Sequence, residues 1–209
     1  MARRLLLAVL LSLVLAGCGS SEGDDGAAVT GVQVKDDDGY NGVLLDQPYA
    51  VPDIGLTDTD GRPFVLAQQP KRTLVFFGYT NCPDVCQVVM STIASSLARL
   101  PAADQEKLQV VFVTTDPARD TESALRTYLD RFDPEFVGVT GSLDRIDALG
   151  RSMDVLIKKG QKLPSGGYEV DHTANVISVL DGRGDLLWTA STSQSDMAED
   201  LEKILKADA

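Results

Sequence analysis

Three cysteines and a single histidine must carry any thiol or soft-metal chemistry in this chain of 209 residues. Cys82 and Cys86 stand four residues apart in Phe77-Gly78-Tyr79-Thr80-Asn81-Cys82-Pro83-Asp84-Val85-Cys86. Pro83 suits the first position of a helix, and a separation of four puts both sulfurs on one side of its opening turn. The positive end of that helix favours thiolate over thiol, which is expected to lower the cysteine pKa from its ordinary value near ~8.5. Spacing alone leaves three uses open. The pair can cycle between dithiol and disulfide, ligate a soft metal as thiolates, or close an inert bridge. Redox thioredoxins have two residues between their cysteines and this chain has three, which leans away from an optimised oxidoreductase.

His172 lies in Tyr168-Glu169-Val170-Asp171-His172-Thr173-Ala174, read as a loop leading into a buried strand. A lone histidine is more often a packed or surface residue than a ligand, but this one is the chain's only imidazole. Two thiolates and one imidazole make a soft set of three donors suited to one copper ion, as Cu(I) or Cu(II). Structural zinc takes four ligands and no third cysteine is available, so zinc is disfavoured, although an Asp could complete such a site. Around these donors, Asp84, Asp116 and Asp171 are candidates for orienting hydrogen bonds, with Arg119 beside Asp116. Met90, Met153 and Met197 fall at core-like helical positions and read as packing.

The elements that must position these residues follow from hydrophobic periodicity. Leu56–Phe64 reads as a hairpin turning at Asp60-Gly61. Thr73–Gly78 is a continuous apolar run, as a buried central strand requires, and Leu108–Thr114 is a second. Helical spacing extends over Pro83–Leu100, over Thr121–Phe132, and from Ser142 as cap through Met153, with Leu143, Ile146, Leu149 and Met153 inward. In Asp116-Pro117-Ala118-Arg119-Asp120-Thr121 the cap is Asp120 or Thr121. Phe136–Val139 is a short strand, and Gly166-Gly167 marks a turn. Ala174–Leu180 and Leu186–Thr189 flank a turn at Asp181-Gly182. Ser195 is the expected cap of a last helix bearing Met197, Leu201, Ile204 and Leu205. Strands alternating with helices imply parallel pairing, and the closing hairpin adds antiparallel strands. The expected fold is α/β: a thioredoxin-like mixed sheet flanked by helices on both faces.

The first residues read as an address. Arg3 and Arg4 precede the apolar run Leu5–Ala16, too short to span a bilayer comfortably. Leu15-Ala16-Gly17-Cys18 is similar to the bacterial lipoprotein signal-peptide box, which gives residues 1–17 as signal peptide and Cys18 as the lipid-bearing residue. Residues 18–42 form a polar tether, and 43–209 the folded domain. The domain is then held at the outer face of a membrane, in a compartment where disulfides persist. The net charge of -12 repels phosphate backbones, so nucleic acid is not an expected partner.

Three segments together resemble the Sco/SenC family of copper-binding proteins: Phe77–Cys86, Asp116–Thr121, and Val170-Asp171-His172-Thr173. Pro48-Tyr49 and Leu56–Phe64 resemble the strand region before the family's site, and the likeness spans roughly residues 43–205. The resemblance implies a thioredoxin-like fold, with Cys82, Cys86 and His172 as copper ligands. It also implies a membrane-anchored chaperone that helps assemble the binuclear CuA centre of cytochrome c oxidase, whose copper-bearing subunit is the expected partner. Some members are thought to reduce the cysteines of that centre instead, which would make Cys82 and Cys86 redox-catalytic and call for a thiol-reducing partner. One position departs from the family pattern: Gln87 stands where a proline usually follows the second cysteine. Glutamine keeps its backbone N–H and prolongs a regular helix. A thiol peroxidase is a weaker reading, since no peroxidatic cysteine is flanked by the expected proline and arginine. Transfer of the metal by ligand exchange calls for an exposed site.

Overall fold

The computed structural model describes residues 39–162, 168–172 and 174–208, without the side chains of 159–162 and 168–172. The leader, Cys18 and most of the tether lie outside the described residues, as does the turn expected at Gly166-Gly167. Among the described residues no helix is long and apolar enough to cross a membrane.

Ten strands and five helices follow one another as β1 (Val43–Ala50), β2 (Gly55–Asp58), β3 (Pro63–Val65), β4 (Arg72–Gly78), α1 (Val85–Leu97), α2 (Ala102–Gln105), β5 (Leu108–Thr114), α3 (Glu122–Leu129), β6 (Val137–Thr140), α4 (Leu143–Arg151), β7 (Ile157–Lys162), β8 (Tyr168–His172), β9 (Val176–Leu180), β10 (Arg183–Trp188) and α5 (Gln194–Ala207). Eight strands form one sheet in the order β1-β10-β9-β4-β5-β6-β2-β3, and β7 pairs with β8 in a separate hairpin. The pairs β4–β5 and β5–β6 are parallel, and the other pairs of the sheet are antiparallel.

Every residue of β4 is buried, which accounts for its unbroken apolar run. Alternation sends Leu74 and Phe76 to one face and Val75 and Phe77 to the other. On the first face, Val89, Met90 and Ile93 of α1, Leu125, Tyr128 and Leu129 of α3, and Leu201 and Ile204 of α5 close over Leu74, Phe76 and Phe112. On the second, Ile146 and Leu149 of α4 and Met153 cover Val75, Phe77, Val111 and Val113. The mixed sheet with helices on both faces is therefore as expected, and the three methionines are buried in packing.

Two hairpin turns use left-handed backbone. Gly61 has φ 75° in the β2–β3 hairpin, and Asp181 (φ 49°) with Gly182 (φ 70°) forms the primed turn between β9 and β10. The ends of the elements differ in detail from the sequence reading. Asp84, not Pro83, borders α1, its carboxylate accepting from the Val85 N–H. Ser193 caps α5 by accepting from the Asp196 N–H at 3.2 Å, and Ser195 lies inside the helix. Leu143 is exposed rather than inward, because it opens α4 before the buried stripe begins at Ile146. The short α2 and the β7–β8 hairpin carry too few apolar positions for periodicity to announce them.

The edge strand β1 is anchored by a buried carboxylate. Asp200 of α5 accepts from the Asn41 N–H (2.8 Å), the Gly42 N–H (2.7 Å), the Asn41 side-chain amide (3.2 Å) and the Trp188 indole N–H (2.8 Å). At the far end of β4, the buried Arg72 guanidinium is shared by Asp208, Asp185 and Ser178, which ties β4, β9, β10 and the end of α5 together.

Candidate metal centre at the mouth of α1

Cys82 lies in the loop that leaves the carboxyl end of β4, and Cys86 in the first turn of α1. Open α/β sheets present their ligand sites at such strand ends. Both cysteines are reduced, with no disulfide between them. The Cys86 N–H donates to the Cys82 sulfur at 3.4 Å, so one of the otherwise unsatisfied donors at the helix start is spent on sulfur.

The helix end does not dominate both thiols. A hydrogen bond to the Cys82 sulfur and, after it, burial push the Cys86 thiol well above its ordinary value, with the Asp84 charge adding to the effect. This reverses, for Cys86, the lowering expected from the helix dipole. The reasons are that hydrogen bond and desolvation, Cys86 being 0% exposed and Cys82 only 5%. The two sulfurs are thus covered, whereas ligand exchange had called for an exposed site.

The cysteine loop is fastened to the β5–α3 loop at three points. Thr115 donates to the Gly78 carbonyl through its N–H (2.7 Å) and its hydroxyl (3.1 Å). Asp120 accepts from the Thr80 N–H (3.0 Å), the Thr80 hydroxyl (2.6 Å) and the buried Thr114 hydroxyl (2.7 Å). Asp116 binds the Arg119 guanidinium, which lies over the Tyr79 ring at 5.9 Å. Thr121 alone caps α3, accepting from the Ala124 N–H at 3.2 Å. Burial holds the Asp120 carboxyl above the usual carboxylate range, although the bonds from Thr80 and Thr114 pull the other way. Sequence reasoning read Asp120 as a helix cap and missed its hold on Thr80, two residues before Cys82. The adjacency of Asp120 and Thr121 was the signal: one helix start needs only one cap.

Of the three acidic candidates, Asp84 borders α1 and Asp116 reaches the cysteine loop through Arg119 and Tyr79. The Asp171 side chain lies outside the described residues, its backbone pairing with Lys158. His172 is the last residue of β8, paired with Ile157, rather than part of a loop, and its side chain also lies outside those described. Two features bear on its backbone position. Phe76 pairs antiparallel with Val176, so the segment preceding Val176 and the loop following Gly78 are directed to the same end of the sheet. Ile157 and Ala174 both pack against the apolar cluster that holds Cys82 and Cys86. Among the described residues, no three His, Cys, Asp or Glu side chains gather as a metal site. The dithiol is itself a soft pair of donors that suits copper.

The family model described as SCO1/SenC matches residues 46–206. The chain belongs to the SCO1/SenC family. A putative copper-binding protein of Stutzerimonas stutzeri is 34% identical over 143 residues, covering 68% of this chain and 70% of that protein. The mitochondrial protein SCO2 of Saccharomyces cerevisiae is 30% identical over 167 residues, covering 79% of this chain, which spans only 53% of that longer relative. The solution structure of apo Sco1 from Thermus thermophilus is 34% identical with a TM-score of 0.71, covering 79% of this chain and 96% of that one. Bradyrhizobium japonicum ScoI, solved with copper bound, is 33% identical with a TM-score of 0.65, covering 73% of this chain and 98% of that one.

Proposed function

We propose that this SCO1/SenC chain is a copper-binding chaperone that holds one copper ion between the thiolates of Cys82 and Cys86 and the imidazole of His172. Its service is the assembly of the CuA centre of cytochrome c oxidase, with the copper-bearing subunit as recipient. It works from the outer face of the membrane, where a lipid on Cys18 anchors the domain through the tether of residues 18–42. The observation that carries the reading is the pair of reduced thiols at the mouth of α1, joined by the Cys86 N–H and fastened through Thr80 to Asp120. Two relatives at about one-third identity add support: one named as copper-binding and one solved with copper bound.

Delivery proceeds by ligand exchange, the recipient's thiolates replacing His172 and Cys82 before the enclosed Cys86. Copper titration of the reduced chain tests the reading. One equivalent gives thiolate-to-copper absorption, and His172→Ala binds far more weakly. Absence of that absorption in the wild type, or full affinity in His172→Ala, would overturn it.

The reduced dithiol also favours a second reading, a thiol-disulfide reductase acting on the oxidase subunit. Cys82 would attack the recipient disulfide, and Cys86 would then displace the reduced recipient from the mixed disulfide. Its activity would survive His172→Ala and vanish with either cysteine. An unaltered oxidase at low copper in a deletion strain would favour this second role.

A further inference from the structure

Gly78, Tyr79 and Thr80, just ahead of Cys82, are each held by a different residue of the β5–α3 loop. Thr115 donates to the Gly78 carbonyl, and Asp120 accepts from Thr80. Between them Tyr79 is held by its ring, over which the Arg119 guanidinium stands at 5.9 Å. The Tyr79 carbonyl accepts from the Cys82 N–H at 3.2 Å, and the Cys82 sulfur accepts from the Cys86 N–H at 3.4 Å. An unbroken run of contacts therefore leads from Arg119 to both sulfurs.

Arg119 is itself fixed in place. Its guanidinium is paired with the Asp116 carboxylate, whose side chain is only 1% exposed. The Asp116 N–H donates to the Thr114 hydroxyl (2.9 Å), and the Asp116 carbonyl accepts from the N–H groups of Arg119 (3.0 Å) and Asp120 (2.9 Å). Such an enclosed pair is a poor source of stability, because desolvation offsets much of the attraction. Covering the Tyr79 ring does not call for it either, since an apolar side chain would cover that ring as well. What the guanidinium adds is direction: its plane and charge seat it on the carboxylate and on the face of the ring together.

We propose that Arg119 is a positioning residue of the metal centre: anchored on Asp116, it holds the Tyr79 ring, and through the Tyr79 carbonyl it sets the turn from which Cys82 presents its sulfur to copper. The inference rests on the copper reading above. Asp120 ties down the backbone of the cysteine loop, and Arg119 orients the residue whose carbonyl receives Cys82.

The test uses the full reduced chain. Arg119→Gln alone would strand the Asp116 carboxylate, so the variant is the double Asp116→Asn/Arg119→Gln, whose two neutral amides can bond each other. It is made in the wild-type and in the Tyr79→Leu background. Cu(I) affinity is measured by competition with a chromophoric chelator, thiolate-to-copper absorption is recorded, and thermal unfolding is followed without copper. The double variant melts close to the wild-type temperature, yet binds Cu(I) about two- to fivefold more weakly, the scale of one cation–π contact, and its absorption band moves. In the Tyr79→Leu background the same two substitutions change affinity by less than about twofold, because the ring through which Arg119 acts is gone. Wild-type affinity with an unshifted band in the double variant would overturn the inference and leave the copper reading standing. An undiminished loss in the Tyr79→Leu background would overturn it too, by showing that Arg119 does not act through the ring. A double variant that unfolds without copper would do the same, by making the ion pair structural. A wild type that takes up no copper would refute the copper reading, and the inference with it.

Discussion

Asp120→Ala removes three accepted hydrogen bonds at once, two from Thr80 and one from Thr114, at 2.6–3.0 Å. Bonds to a charged group contribute ~1.5–3 kcal/mol each, so simple addition gives ~4.5–9 kcal/mol. Two effects reduce that sum. The carboxyl sits above its ordinary pKa because burial penalises its charge, and alanine recovers that penalty. Thr80 is partly exposed, so its N–H and hydroxyl find water once Asp120 is gone. Thr114 is 0% exposed, and a buried hydroxyl left without its acceptor costs ~1–3 kcal/mol. The net loss is about 2 kcal/mol, or a fall in melting temperature of about 4–8 °C for a domain of this size. Thermal and urea unfolding at neutral pH measure it. Thr80 is two residues from Cys82, so copper affinity falls and alkylation of Cys82 quickens in the same variant. A melting temperature indistinguishable from wild type, with unchanged alkylation, would refute the claim that Asp120 holds the cysteine loop.

Asp120 also gives a pH signature. Its folded pKa is raised above the 3.8 of the unfolded group, so the pH-dependent part of its contribution is fully present below that value and is lost as pH rises through the folded pKa, while its hydrogen bonds to Thr80 and Thr114 remain. Wild type should therefore lose stability relative to Asp120→Asn from acid to neutral pH, and a difference that does not vary in urea unfolding would contradict this. Under iodoacetamide the reduced native protein should be labelled at Cys82 well before Cys86, because Cys86 is both enclosed and held protonated; peptide mass mapping decides, and equal labelling refutes it. Asp200→Ala strands the Trp188 indole N–H and the Gly42 N–H, for a loss of about 3 kcal/mol. Limited proteolysis should then cut near residues 39–42, and an uncut, equally stable variant would show that β1 does not depend on this anchor.

The central strands were legible because β4 and β5 are buried on both faces and write that burial as unbroken apolar runs. The turns at Gly61 and Asp181-Gly182 announced themselves through residues that tolerate positive φ. The β7–β8 hairpin did not, since it stands apart from the main sheet and its Lys-Lys-Gly-Gln-Lys run carries no core pattern. At the site, residue type and spacing singled out the two cysteines. The supports were hidden, because Asp120 and Thr80 are 40 residues apart and only the parallel pairing of β4 with β5 brings their loops together. The Cys86 thiol was misjudged because the helix dipole can be read from sequence position, whereas desolvation depends on packing from α3 and the sheet.

X-ray absorption at the copper edge of the singly loaded, reduced chain tests the central claim most directly. The account predicts two sulfur scatterers and one imidazole nitrogen at each copper, with the imidazole signal lost in His172→Ala and one sulfur lost in either Cys82→Ser or Cys86→Ser. A copper shell free of sulfur, or one that keeps its imidazole signal in His172→Ala, would contradict it.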